Sequence, residues 1–280
     1  MAIEISKVTY PSREHIVLPP AVRSDLINLK VPDEDDLFVQ SAIQLYPLGA
    51  QLRNFPAPGD LWRYCLAGET VAIGHQGFLK CNKNSCPGIA GGAGSEAALY
   101  ADAADGQNYL DLTDTNSRAK NYYEGASIWI LNDTTGKYDK YFIVGNDAGS
   151  AAYCRVYIHP LLRAAHLITS GTVQAYRSVY SNVGSLLTSG NQNWKSALGM
   201  AHLPLTSAYY FWLHTAGEEW GTGASTWPGQ TAYQREVYAN TDGSLIGKTA
   251  STYLYQRVGF LLEGTASDYG DVHFMLQLDQ

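Results

Sequence analysis

Long apolar runs, runs of like charge and closely paired cysteines are all missing from this sequence. No apolar stretch reaches the ~18 residues a membrane-spanning helix needs. The opening MAIEISKVTYPSREH has no charged start followed by an apolar stretch. The expected chain is made in the cytoplasm and is neither secreted nor set in a membrane. Lysine and arginine number 19 against 26 aspartates and glutamates, a net charge of −7, and they form no cluster. Nucleic acid is held by a basic stripe that displaces counterions, so direct contact with it is not expected. The mild negative charge suits a soluble, exposed surface.

Cysteine is scarce. Cys65, Cys81, Cys86 and Cys154 are too few to staple 280 residues, and free, mostly buried thiols are the expected state. His75, Cys81 and Cys86, with Cys65 as a fourth ligand, make one conceivable zinc set. Structural zinc favours tight Cys-x2-Cys pairs, whereas four residues, Asn82 to Ser85, separate Cys81 from Cys86. A loop-closing disulfide or two free thiols both outrank a metal there.

The sequences that announce common chemistries are absent too. No Gly-x-Ser-x-Gly elbow occurs. Gly243 to Thr249 (GSLIGKT) ends like a phosphate loop, but only three residues separate its glycines where four are required, so it reads as a turn between strands. Glu218-Glu219, beside Trp220 and Trp227, is a carboxylate pair, but neighbours in a loop point apart, and the pair reads as a solvated loop anchored by tryptophans. Asp102 to Gly106 and Asp111 to Asn116 lack the ligand order of a calcium loop. The seven histidines, among them His159, His166, His202, His214 and His273, share no spacing and read as satisfied core or surface residues. No catalytic residue, metal or cofactor is expected, and the chain is not expected to be an enzyme.

What is present is aromatic and glycine-rich: 20 Tyr, 6 Trp and 27 Gly with only 16% charged residues, a balance that favours strands and turns over helices. Short apolar or alternating segments separated by turn residues recur from Leu61 onward: Leu61 to Leu66, Val71 to Ile73, Phe78 to Cys81, Ser127 to Leu131, Lys137 to Val144, Arg155 to Ile158, Thr172 to Tyr180, Ala197 to Leu203, Tyr209 to Thr215, Gln234 to Ala239, Arg257 to Leu262 and Asp271 to Leu278. Asn132 to Gly136 suits a hairpin loop, and Gly217, Gly221 and Gly223 read as turn material. Such spacing predicts a mainly β chain, a barrel or sandwich body with little helix. Short helices are expected near Ala21 to Lys30 and over Leu161 to Ile168 behind Pro160.

The first 55 residues differ. Pro11, Pro19, Pro20, Pro32, Pro47 and nearby Pro56, with the acidic group Asp33 to Asp36, predict either an extended arm or an irregular lobe packed on its own domain. Ile143 to Leu161 and Val258 to Leu278 echo each other, each a strand, a glycine-bearing turn and a second strand. The expected division is an arm over 1–55 and two β units, 56–183 and 184–280, related by duplication if that echo is real.

Gln44 to Gly49 (QLYPLG), Leu61 to Tyr64 (LWRY) with Ala67-Gly68, Tyr210 to Gly217 (YFWLHTAG), Arg235 to Tyr238 (REVY) with Asp242 to Leu245, and Arg257 to Gly259 with the closing strand to Leu278 together resemble structural proteins of tailed phages. The order of the later strands is also similar to that of small head decoration, or cement, proteins. The resemblance implies a β body that trimerises on the outer capsid surface, with the major capsid protein and its own copies as partners, made in the host cytoplasm and carried on the virion. It implies no catalytic residue. This chain exceeds the smallest decoration proteins in length, so a tail or fibre role also fits.

In an adhesive β protein, tyrosine and tryptophan supply large contact area with few rotors. The expected contact residues are Trp212, Trp220, Trp227, Tyr209 and Tyr210, with Ile16, Val17, Leu18, Leu37, Phe38 and Val39 from the arm. All are equally eligible for the core. Two other classes are open: a carbohydrate- or receptor-binding module with Trp220 and Trp227 as the sugar platform, and a hydrolase built on Glu218 or Glu219.

Overall fold

The computed structural model describes residues 2–3, 8–9, 15–26, 32–71, 78–81, 98–114, 116–132, 135–168, 173–185, 196–224, 228–229, 234–240, 243–248, 255–263 and 271–278. Among the described residues strands make up 47% against 5% in helical turns, so the mainly β expectation holds. Among the described residues the helical content is three 3-10 turns, Ser24–Leu26, Asp35–Phe38 and Val179–Ser181. No helix there is long and apolar enough to cross a membrane.

Among the described residues two large sheets stand beside a small one, in which Ala2–Ile3 pairs antiparallel with Val22–Arg23. The smaller of the two large sheets orders Val173–Tyr176, Ser127–Asn132, Lys137–Asn146, Tyr153–His159 and Tyr109–Thr113, all antiparallel. The predicted hairpin is here: Lys137 pairs with Asn132, and Gly136 takes the left-handed φ of +65° that closes the turn. Period-two alternation puts Leu110, Leu112, Ile128, Ile130, Cys154 and Val156 on one buried face. Each such side chain contributes ~1.5–3 kcal/mol on leaving water.

The larger sheet curls into a half-barrel. Its main path runs Leu245–Ile246, Glu236–Ala239, Arg257–Glu263, Asp271–Gln277, Tyr210–Thr222, Leu61–Leu66, Gln51–Arg53, His15–Val17 and Val8–Thr9, and Phe78–Cys81, Val183–Ser185 and Ala197–Met200 join it off that path. Pairing therefore crosses the sequence positions 55 and 183, since Leu61–Leu66 lies between Gln51–Arg53 and Tyr210–Thr222. The two echoing segments both fold as antiparallel hairpins with a register shift, Ile143/Gly145 in one and Leu261/Glu263 in the other.

From residue 15 the proline-rich segment is extended and packs on the body, with Ile16, Leu18, Val22 and Leu37 in one core cluster with Trp62 and Trp212. Residues 11–14 and 27–31 lie outside the described residues. Of the helix expected over Ala21 to Lys30, the described part holds a strand, Val22–Arg23, and one 3-10 turn. The helix expected over Leu161 to Ile168 does not form. Leu162 N–H donates to the Gln107 carbonyl and its own carbonyl accepts from Gly106, while His166 and Ala103 exchange both backbone bonds. A partner segment thus takes the groups that a helix would bond internally.

Candidate functional site

The strand Tyr210–Thr222 continues through the glycines expected to be a turn, and this decides where its side chains point. Opposite Leu61–Leu66, His214 pairs with Trp62 and Ala216 with Leu61, leaving Thr215 as an extra residue. Such a bulge shifts the alternation by one. His214 and Glu219, which an unbroken strand would aim at opposite faces, consequently share the inner face with Trp212. Glu218 and Trp220 point outward. The solvated loop expected at Glu218-Glu219 is corrected: both lie in a central strand, and Glu219 is only 5% exposed.

His202, just past the strand Ala197–Met200, reaches the same face. Glu219 Oε2 lies 2.7 Å from His202 Nε2 and 2.6 Å from His214 Nδ1. An ionised carboxylate only accepts, so both facing nitrogens carry protons. Glu219 Oε1 accepts the Trp220 backbone N–H at 3.0 Å. Behind His214, Asp60 Oδ1 stands 3.7 Å from Nε2, an ion-pair separation too long for a hydrogen bond. Asp60 Oδ2 is held by the Ala57 N–H at 3.1 Å. Trp62 stacks on His214 with centroids 4.5 Å apart and meets His202 edge-on at 5.0 Å, and Phe38 lies 5.9 Å from His202.

Burial opposes a charge on His214, but Asp60 and Glu219 outweigh it and raise its pKa to about 9. Burial likewise opposes the Glu219 carboxylate, and the two imidazoles overcome this and hold it well below the usual range. His202 is the cluster's route to solvent, with its side chain 28% exposed. On the outer face Glu218 pairs with His273 at 2.6 Å beside an exposed Trp220.

The contact residues expected from sequence separate by burial. Ile16, Leu18, Leu37 and Trp212 are core residues, fully enclosed by the cluster around Trp62 and Tyr64, and are not available to a partner. Val17, Tyr209 and Tyr210 are half-buried. Phe38, Val39 and Trp220 are exposed, and Trp227 lies outside the described residues. Phe38 and Val39 begin an apolar surface that sequence reading did not extend far enough: Phe38, Val39, Ile43 and Leu45 are 45%, 59%, 73% and 50% exposed. Its backbone is anchored, because Ser41 and Tyr210 exchange both hydrogen bonds.

Of the cysteine-centred metal set, only Cys65 has a described side chain. Cys65 is a buried free thiol among Phe211, Leu213 and Val183, with its pKa driven up by burial, while His75, Cys86 and the Cys81 side chain lie outside the described residues. Asp111 is taken up by Arg155 at 2.7 and 2.8 Å, and Asp114 by the Tyr123 hydroxyl at 2.7 Å. Of GSLIGKT, Gly243 makes a turn and Leu245–Ile246 a strand, while Thr249 lies outside the described residues.

Comparison with known protein families, curated proteins and solved structures finds no match for this chain.

Proposed function

We propose that this chain is a structural protein of a tailed-phage particle, a head decoration protein that binds its own copies and the outer capsid surface. The observation that carries the reading is the exposed apolar segment Phe38, Val39, Ile43 and Leu45, tied to the strand Tyr210–Thr222 by the Ser41–Tyr210 bridge. Lone exposed apolar residues are ordinary, whereas a contiguous group on an ordered backbone marks a contact site. The occupant we assign to it is a second copy of the chain, in a closed trimer. Light scattering on the purified full chain tests this, with a trimer expected and a monomer at micromolar concentration counting against it. Attachment to capsids lacking the protein, followed by co-sedimentation, tests the second partner.

A carbohydrate-binding role at a tail or fibre is the second reading, supported by Trp220, 54% exposed beside the Glu218–His273 pair. Glycan binding lost in Trp220→Ala would favour it over the decoration role.

A further inference from the structure

We propose that His202, His214 and Glu219 form a binding site for one divalent transition-metal cation, zinc being the ion the donors suit, with Asp60 as the carboxylate behind His214. Two imidazole nitrogens and one carboxylate oxygen converge to within 4.8 Å of one another. Zinc takes nitrogen and oxygen ligands at about 2.0–2.2 Å, which places ligand atoms of a tetrahedron roughly 3.3 Å apart. The hydrogen-bonded contacts of 2.6 and 2.7 Å are shorter than that. An ion replacing the two shared protons would set Glu219 Oε2 about 0.6–0.7 Å farther from each nitrogen, and would hold the two nitrogens, which lie within 4.8 Å of each other, at the same spacing.

Three further observations point to a cation. The first is the tautomer of His214. Nδ1 carries its proton towards Glu219, while the buried Nε2 faces the Asp60 carboxylate at 3.7 Å with no hydrogen-bond partner. Ligation reverses this: Nδ1 gives its lone pair to the ion, and the proton stands on Nε2 facing Asp60, the usual carboxylate support behind a ligating histidine. The second is charge. Glu219 and Asp60 place two carboxylates around one buried ring, with side-chain exposures of 4% and 12%. A divalent ion offsets both, where protonating His214 offsets one. The third is orientation. The Trp220 N–H holds Glu219 Oε1 and the Ala57 N–H holds Asp60 Oδ2, so each carboxylate presents its other oxygen to the cluster. Trp62 packs against both rings, and the partly exposed His202 gives the cluster an entry path from solvent. Binding displaces the proton of His202 Nε2 to its Nδ1 and that of His214 Nδ1 to its Nε2. Where His214 begins doubly protonated, one proton goes to solvent.

The test is titration of the metal-stripped full chain with cobalt(II), read by visible absorption, and then displacement by zinc. One cobalt per chain is expected, with a tetrahedral-type spectrum, no thiolate charge-transfer band, and a zinc-dependent rise in the thermal midpoint. His202→Gln keeps a donor for Glu219 at a partly exposed position, so it should fold like the parent yet lose the cobalt spectrum. Asp60→Asn should weaken binding about 10–100-fold. The proposal is overturned if the parent gives neither a cobalt spectrum nor a zinc-dependent midpoint, if a thiolate band places the ion on cysteine, or if His202→Gln binds like the parent.

Discussion

At Gly217 any side chain would drive into the Asp60 carboxylate that faces His214. A methyl group built there overlaps Asp60 Oδ1 and comes within 2.8 Å of His214 Nε2, and the backbone φ is +130°. Few residues but glycine adopt that conformation. Gly217→Ala is therefore expected to lower the stability of the metal-free chain by about 1–3 kcal/mol. Urea denaturation followed by tryptophan fluorescence measures it. A value unchanged from the parent would mean that the strand can shift freely, and that the Asp60–His214 geometry is not fixed by the glycine.

Trp212 tests the division between core and contact. It is packed against Tyr46 and Tyr64, both 5.1 Å away between centroids, and is almost wholly enclosed. Trp212→Ala should cost about 3–5 kcal/mol of stability, as truncation of a buried aromatic does. Chemical denaturation at several protein concentrations distinguishes the two roles. A loss that is the same at all concentrations places Trp212 in the core, and one that appears only where copies associate would place it at an interface.

The parts of the fold legible in the sequence are those governed by local rules. Leu61–Leu66 is announced as a short apolar piece ahead of a glycine, and the Ser127–Asn132 hairpin and the closing strand by strand-like segments and turn residues. The inner-face cluster was not, because its parity depends on the bulge at Thr215, and a bulge follows from how neighbouring strands pair. Glycines at 217 and 221 read as turn formers, while in the sheet they make room for Asp60 and for Leu245 and Met200. His202 and Glu219 are brought together by sheet pairing across a hairpin, a non-local relationship that leaves no fixed spacing. The one available signal was His214 and Glu219 flanking a glycine within an otherwise apolar, aromatic run. The absent helix at Leu161 to Ile168 failed for a related reason: its periodicity was right, but residues 103–107 supplied competing backbone partners.

Asp114 carries an acid-side dependence. Burial pushes its carboxyl up, but the Asn116 backbone and side-chain N–H groups, the Tyr123 hydroxyl and Arg118 prevail, and its pKa lies below the ordinary 3.8. The unfolded chain then binds the proton first as pH falls. This contribution is present above 3.8 and is lost as pH drops through the folded-state value. Asp114→Asn should cost about 1–3 kcal/mol at neutral pH, where it weakens bonds to a buried hydroxyl and a guanidinium. Below pH 3.8 the gap between variant and parent should narrow. Thermal melts across pH 2.5–7 (about the range that spans carboxylate titration) measure it, and a gap constant with pH would remove Asp114 as the cause.

Ile43 separates the assembly reading from a merely untidy surface. It is the most exposed large apolar residue on the Phe38–Leu45 segment at 73%, and its backbone N–H is anchored by the Ser41 hydroxyl, so a change of side chain leaves the local turn intact. Surface substitutions of this kind move chain stability by no more than about 0.5 kcal/mol. A buried, unpaired carboxylate at a subunit contact costs far more, several kcal/mol. Ile43→Asp is thus expected to convert a trimer to monomers in light scattering while the far-ultraviolet circular dichroism stays that of the parent. Tyr138→Asp, at an aromatic residue 50% exposed on the smaller sheet, is the control that should leave the oligomer unchanged. A trimer that survives Ile43→Asp would move the contact away from this segment, and one broken by both variants would show general sensitivity to added charge instead of a defined contact.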